Sequence, residues 1–256
     1  KNNLIDFSND PVVIITITFL IVLGGLGHFV IVDLINCKKI NRLSFHSKVV
    51  ISTTCILIIF GTILFFLLEQ SNTLNNMGLI EKLGNALFQS VTTRTAGFNS
   101  IDMGNIKTPT SLLLMMLMFI GGAPLSAAGG IKVTTFAIIF IYVLNTIRKE
   151  NNISLFNRDL ADKHIKLSIV TVNISIIFIL TTTFLLTIIN PNVPLIKILF
   201  EVVSAFGTVG LSMNFTSEYH GITELIIIVV MLCGKVGLLT MSRAFIPPKP
   251  SKKYSF

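Results

Sequence analysis

Five long apolar runs, at residues 11–34, 49–68, 111–144, 167–189 and 222–241, decide the solvent in which this chain can fold. About 20 apolar residues cross the hydrocarbon core of a bilayer as a helix, and a soluble core could not hide five such stretches. Hydrophobic residues make up 52% of the chain and charged residues only 12%, which excludes a soluble or disordered class. The fold expected is an all-α membrane protein embedded in a lipid bilayer. Its orientation follows from the basic residues. Lys38, Lys39, Arg42 and Lys48 lie between the first two runs. Arg148, Lys149, Arg158, Lys163 and Lys166 lie between the third and fourth, and Lys249, Lys252 and Lys253 follow the fifth. The positive-inside rule makes these regions and the C-terminus cytoplasmic and puts residues 69–110 and 190–221 outside. The net charge of +8 is therefore topological, and without a basic face interleaved with aromatics no nucleic-acid partner is expected.

Each outer segment carries an apolar stretch too short to cross, at residues 79–91 and 193–206. Each is followed directly by a Thr-x-Gly tripeptide, Thr95-Ala96-Gly97 and Thr208-Val209-Gly210. Non-helical backbone at membrane depth is tolerated only where protein buries it or it lines a watery cavity, so each segment reads as a re-entrant helix ending in a pore-lining loop. Gly97 and Gly210 stand 113 residues apart, and so do Gly121 and Gly234. The repeating unit is outer helix, pore helix, filter and inner helix, as in potassium channels. LGGLG at residues 23–27 aligns with IGGAP at 120–124 and CGKVG at 233–237, a third copy of the inner-helix feature. The chain divides accordingly into residues 1–45 (a truncated inner helix and a cytoplasmic loop), 46–163 (one repeat) and 164–256 (another repeat and a basic tail). About four such units must surround an axis to replace an ion's water with carbonyl oxygens, so further repeats are expected outside this sequence. It begins without Met and reads as part of a longer polypeptide.

The chemistry expected of the loops is coordination of a dehydrated potassium ion by the backbone of Thr95, Ala96, Gly97 and Phe98 and of Thr208, Val209, Gly210 and Leu211. Glycine reaches φ > 0 without steric cost, which lets successive carbonyls face one axis, and the C-terminal ends of the pore helices add partial negative charge. Arg94, just before the first tripeptide, is expected to brace the loop through carbonyl or carboxylate contacts, with Asp102, Glu81 and Glu201 as the acids nearby. The third apolar run would be about 52 Å long as a straight helix against a core of about 30 Å. Gly121, Gly122, Pro124, Gly129 and Gly130 cluster near its middle and can interrupt it; a kinked helix with close glycine contacts is the plainer alternative. Lys235, a charge inside the last run, is expected to face the pore, with snorkelling to an interface as the alternative. The four histidines show no metal-ligand spacing, so no metal other than potassium is expected. Cys37, Cys55 and Cys233 are read as packing residues.

FQSVTTRTAGFN at residues 88–99 and FEVVSAFGTVGLS at 200–212 resemble the third and fourth pore loops of the Trk/Ktr/HKT superfamily of potassium transport proteins. The likeness is greatest to the membrane subunit of Ktr-type bacterial systems. GGAPLSAAGGIKVTTF at 121–136 is similar to the broken middle of that family's third inner helix, and GKVGLLT at 234–240 to its fourth. The resemblance implies potassium uptake across the bacterial cell membrane by a four-repeat pore, paired as a homodimer and controlled by a cytoplasmic nucleotide-binding ring. The ring would dock on the loops at residues 36–47 and 151–166. The resemblance also implies an intramembrane gate at Gly121, Gly122, Pro124, Ser126, Gly129 and Gly130, with Lys235 where the family carries Arg. Leu125, Ala127 and Ala128 make this gate more apolar than the family's glycine- and serine-rich pattern, so glycine at Leu125 and Ala128 is expected to raise flux. Two other readings compete. A polytopic enzyme would need clustered acids or histidines, and Asp159 with Asp162 sits in an ordinary charged linker; a non-conducting regulatory membrane subunit is the second.

Overall fold

The two apolar runs free of glycine clusters form uninterrupted helices. These are α3 (Phe45–Glu69) and α7 (Asp162–Ile189), of 25 and 28 residues, both long and apolar enough to cross a bilayer. The other helices are α1 (Pro11–Leu26), α2 (His28–Asn36), α4 (Leu79–Thr92), α5 (Thr108–Phe119), α6 (Val133–Ile147), α8 (Leu195–Gly207) and α9 (Ile222–Val236). A hairpin of two-residue strands, β1 (Ser154–Leu155) and β2 (Arg158–Asp159), lies in the connection between α6 and α7. This computed structural model describes residues 3–37, 43–149, 154–155, 158–215 and 221–238. Lys38, Lys39, Arg42, His220, residues 239–241 of the fifth apolar run and the basic tail with Lys249, Lys252 and Lys253 lie outside the described residues. So do residues 150–153, 156–157 and 239–240 of the cytoplasmic loop and the last motif.

All three inner segments are broken, where the sequence pointed to one break. The first run turns at Gly27, whose φ is 81°, and α2 leaves α1 at 99°. The third stops at Phe119 and resumes at Val133, around the glycine cluster. The fifth stops at Val236 before Gly237, φ 85°. Gly27 and Gly237 occupy the same place in the aligned motifs, and only glycine takes that backbone without strain. Apolarity continues across Gly27 into FVIV, which is why the bend is invisible to hydropathy.

Helix starts follow local chemistry. Asp10 accepts from Val12 N at 2.9 Å and Val13 N at 3.3 Å ahead of Pro11, and Ser44 Oγ accepts from Ser47 N at 3.2 Å. α2 is tied to the start of α3 by Asp33, whose Oδ2 accepts from Ser44 N at 2.9 Å. The short helices are held by one rule. α4 packs between α3 and α1; α8 packs likewise between α7 and α5, and also touches α9. Both bury their C-terminal halves, Phe88 to Thr92 and Phe200 to Gly207. Phe206, the penultimate residue of α8, sits between Phe119 of α5 and Phe178 of α7 at ring-centroid distances of 6.1 and 6.3 Å. Ile59, Phe60 and Ile63 of α3 and Ile177, Leu180 and Phe184 of α7 are exposed, as surfaces facing hydrocarbon should be.

One carboxylate, Glu69 at the end of α3, is fully buried. Glu69 Oε1 accepts from Thr110 Oγ1 at 2.5 Å and Lys107 N at 2.9 Å. Its Oε2 accepts from Asn72 Nδ2 at 2.7 Å, Thr73 Oγ1 at 2.9 Å and Thr73 N at 3.3 Å. The end of α3 is thereby bolted to the start of α5. Glu69→Ala strands these donors and is expected to lower stability by about 3 kcal/mol. A fall in the melting temperature in detergent, smaller for Glu69→Gln, is the result that checks it.

Candidate functional site: two paired loops and the strand beneath them

The loops that follow α4 and α8 repeat an uncommon backbone. Thr95 has φ 63° and Gly97 φ 73°; Thr208 has φ 52° and Gly210 φ 93°. The same positions, 113 residues apart, are left-handed in both loops, and for a threonine that costs about 1–2 kcal/mol. The two loops touch. A Cβ on Gly97 would run into the carbonyl oxygen of Val209 and come within 3.0 Å of Gly210 Cα.

Their N–H groups bond backwards. Ala96 N and Gly97 N donate to Thr92 O at 3.2 and 3.3 Å, and Thr92 Oγ1 donates to Phe98 O at 2.6 Å. In the second loop Val209 N donates to Ser204 O at 2.8 Å and Gly210 N to Ser204 Oγ at 3.2 Å. Among the described residues no hydrogen bond reaches the carbonyl oxygens of Thr95, Ala96, Thr208 or Val209. These are unoccupied acceptors beside two helix C-termini, an arrangement that attracts a dehydrated cation. The Phe98 carbonyl is taken by Thr92, and that of Gly97 receives Asn3 Nδ2 at 3.5 Å. Leu211 is buried behind its loop. A cavity of about 560 Å³ adjoins Gly210 and Leu211 and is lined by polar groups including Asn3, Asn99, Asp102 and Ser212.

Arg94 is 4% exposed, and its three guanidinium nitrogens find no hydrogen-bond partner among the described residues. The expected brace to a nearby carboxylate is not formed within them. Glu81 is engaged by Gly78 N at 2.9 Å, and Asp102 by Gly104 N at 2.9 Å and Asn105 Nδ2 at 2.7 Å. Glu201 is buried in α8.

Beneath the second loop runs the irregular strand of residues 120–132. Its ends close on each other: Gly121 N donates to Ile131 O at 2.8 Å, Ile131 N to Phe119 O at 3.2 Å and Val133 N to Gly122 O at 3.1 Å. Its middle is held by three neighbours. Ala123 N donates to Gly25 O at 2.9 Å, Gly129 N to Thr208 Oγ1 at 3.1 Å and Gly130 N to Gly234 O at 3.2 Å. Pro124 lies against the bend, its carbonyl 2.8 Å from where a Cβ of Gly27 would be. Ser126 Oγ donates to Ala123 O at 2.6 Å and accepts from Ala128 N at 3.2 Å. Lys235, an exposed residue of α9, donates from its Nζ to Ala127 O. Gly234 lets α9 approach, since a Cβ there would collide with the Phe206 carbonyl.

Lys132 was missed in the sequence. Its Nζ donates to Ala128 O at 2.5 Å. The signal was present, because it is a cation at membrane depth inside GGIKVTTF and the argument applied to Lys235 applies to it equally. Among the described residues no cluster of three or more His, Cys, Asp or Glu could hold a metal ion, and Cys37, Cys55 and Cys233 form no disulfide.

Thr208 joins the carbonyl-bearing loop to the strand below it. Thr208→Val removes the acceptor of Gly129 N, and exchange of that amide should quicken by about tenfold, as expected for one lost hydrogen bond of about 1.4 kcal/mol. Thr208→Ser should exchange like the parent; equal exchange in all three proteins would show that the contact carries no stability.

Residues 1–255 match the family model described as TrkH, cation transport protein. The chain is similar to Ktr system potassium uptake protein B of Bacillus subtilis, 37% identical over 246 residues covering 95% of this chain and 55% of that protein. It is similar to the protein of the same name from Vibrio alginolyticus, 36% identical over 98% of this chain and 56% of the relative. A third relative is potassium/sodium uptake protein NtpJ of Enterococcus hirae, 37% identical over 89% of this chain and 51% of the relative. The chain thus spans about half the length of the curated relatives it matches. Its fold matches the crystal structure of the potassium transporter TrkH from Vibrio parahaemolyticus with a TM-score of 0.75 at 14% identity, over 93% of this chain and 53% of that one.

Proposed function

The chain belongs to the TrkH family of cation transport proteins, and on that premise we propose that it supplies two of four repeats, and part of a third, to a potassium uptake pore. The family is one of transport proteins rather than enzymes. The observation that carries the reading is the pair of adjacent loops with matching left-handed Thr and Gly and unoccupied carbonyls at Thr95, Ala96, Thr208 and Val209. Potassium is the transported ion, held at these carbonyls, with Gly97 and Gly210 shaping the filter and Phe98 and Leu211 closing its outer end. Relatives named for potassium uptake support that choice, and one named for potassium and sodium makes sodium the ion to test against. The polar cavity with Asp102 serves as the outer vestibule. Arg94 acts as filter scaffold, its buried guanidinium taking acceptors from the remaining repeats.

The strand at Gly121, Gly122, Pro124, Ser126, Gly129 and Gly130, with Lys235, is the gate. It crosses beneath Thr208 and is held in place by contacts from two other inner segments, which is what a plug under a filter requires. The subunit works in the bacterial cell membrane, filter loops outward and basic loops inward, as a homodimer controlled by a cytoplasmic nucleotide-binding ring.

Two experiments test this. The subunit completed with its other repeats should restore growth of a potassium-uptake-deficient bacterium at low potassium. Gly97→Ala places a Cβ against the Val209 carbonyl at a left-handed position, a cost of about 1–2 kcal/mol, and should lower selectivity for potassium over sodium by about tenfold. No rescue by the parent subunit would favour a non-conducting regulatory role instead.

A further experiment concerns the gate's apolar residues. Leu125 has φ 59° and is 67% exposed. Glycine there relieves about 1 kcal/mol of left-handed strain in this latched conformation, so Leu125→Gly should not raise flux, contrary to the expectation from sequence. Ala128→Gly, at a buried position against Gly122, should raise it; potassium flux into vesicles reads both.

A further inference from the structure

Two cations meet on neighbouring carbonyls of the irregular strand. Lys235 Nζ, from α9 of the last unit, donates to Ala127 O; Lys132 Nζ, from the strand's own far end, donates to Ala128 O at 2.5 Å. The two ammonium groups sit on the carbonyl oxygens of adjacent residues, so like charges are brought together on one short stretch of backbone. Lys132 is half-buried, Ala128 is 2% exposed, and no carboxylate is bonded to either lysine among the described residues. An ammonium ion and a potassium ion ask for the same partners, oxygens of carbonyl type. With both lysines in place, two consecutive carbonyl oxygens of the strand are already occupied by cations belonging to the protein.

We propose that Lys132 and Lys235 together form the latch of the gate, two tethered cations that occupy the Ala127 and Ala128 carbonyls until the strand moves. This rests on the gate reading above and adds a residue to it. Lys132 is the positioning half, because it spans the turn Ala128-Gly129-Gly130-Ile131 and fixes the strand's second limb, whereas Lys235 fixes the strand to α9. The pairing has a consequence that independent contacts would not have. Each ammonium is held against the repulsion of the other, so removing one strengthens the bond of the one that remains. A single loss is then partly compensated, and a double loss is not.

The test is a double-mutant cycle on the complete subunit in liposomes without its cytoplasmic partner, read as basal potassium efflux and, separately, as melting temperature. Lys132→Met and Lys235→Met should each raise basal efflux by about tenfold, and the double variant should exceed the product of the two, about a hundredfold. Lys132→Arg should stay near the parent, because it keeps the cation. Melting temperatures should change little, which separates a latch from a general structural support. If Lys132→Met does not fold, the cycle is run with Lys132→Gln, which keeps a donor and loses the charge and should leak less than Lys235→Met.

Efflux unchanged in Lys132→Met but raised in Lys235→Met overturns the paired latch and leaves the gate reading standing. Efflux unchanged in both overturns the gate reading as well. A double variant equal to or below the product of the singles means that the two cations do not oppose each other on the strand, and the pairing fails.

Discussion

Hydrocarbon offers no hydrogen bonds, so a helix that breaks inside a bilayer must find other partners for every backbone group it releases. This chain interrupts its apolar runs at Gly27, at residues 120–132 and at Gly237, and meets that demand between segments distant in sequence. The strand at residues 120–132 draws on Gly25 O of α1, on Thr208 Oγ1, on Gly234 O of α9 and on its own two ends. Its conformation depends on all of these segments, and a change at any of them is felt by the strand. The two lysines complete the same accounting from the side-chain end, by covering carbonyls that no N–H reaches.

The paired loops show what the repeat has kept and what it has let go. Thr95 and Thr208, and Gly97 and Gly210, share backbone angles, while the residues leading into them, SVTTR and SAFG, share almost no chemistry. Even the supports differ. The first loop leans on Thr92 O and Thr92 Oγ1, the second on Ser204 O and Ser204 Oγ. Geometry at the carbonyls is what the two halves have in common, which is what an ion would sense.

Much of this architecture was legible in the sequence, and the limits of legibility are physical. Periods and lengths gave α3 and α7 as spans and α4 and α8 as helices too short to span, and glycine clustering gave the interruption after Phe119. The bend at Gly27 and the helix end before Gly237 were hidden because hydropathy does not change across them; their alignment with Pro124 was the available clue. Glu69 could not be found, since a carboxylate at a helix end looks like any interfacial acid until its five donors, spread over residues 72–110, are brought to it. Leu125 was read for its apolar side chain, and hydropathy carries no sign of the positive φ of 59° that it adopts. Lys132 was overlooked because a basic residue beside a predicted break reads as an ordinary helix start. Arg94 was expected to meet carbonyl or carboxylate oxygens, and among the described residues its guanidinium is buried without a hydrogen-bond partner, which proximity in sequence does not reveal.

The shortness of α4 and α8, 14 and 13 residues, also bears on how the protein is made. α4 carries Glu81, Lys82, Asn85 and Gln89, too polar and too brief for the insertion machinery to accept as a span. Such a helix enters the bilayer only after its neighbours have created a protein-lined place for it. For α4 these are α1 and α3, already synthesised when it emerges; for α8 they are α5 and α7, with α9 still to come. The carbonyl-bearing loops therefore reach their depth only after the helices that precede them in the chain are in place.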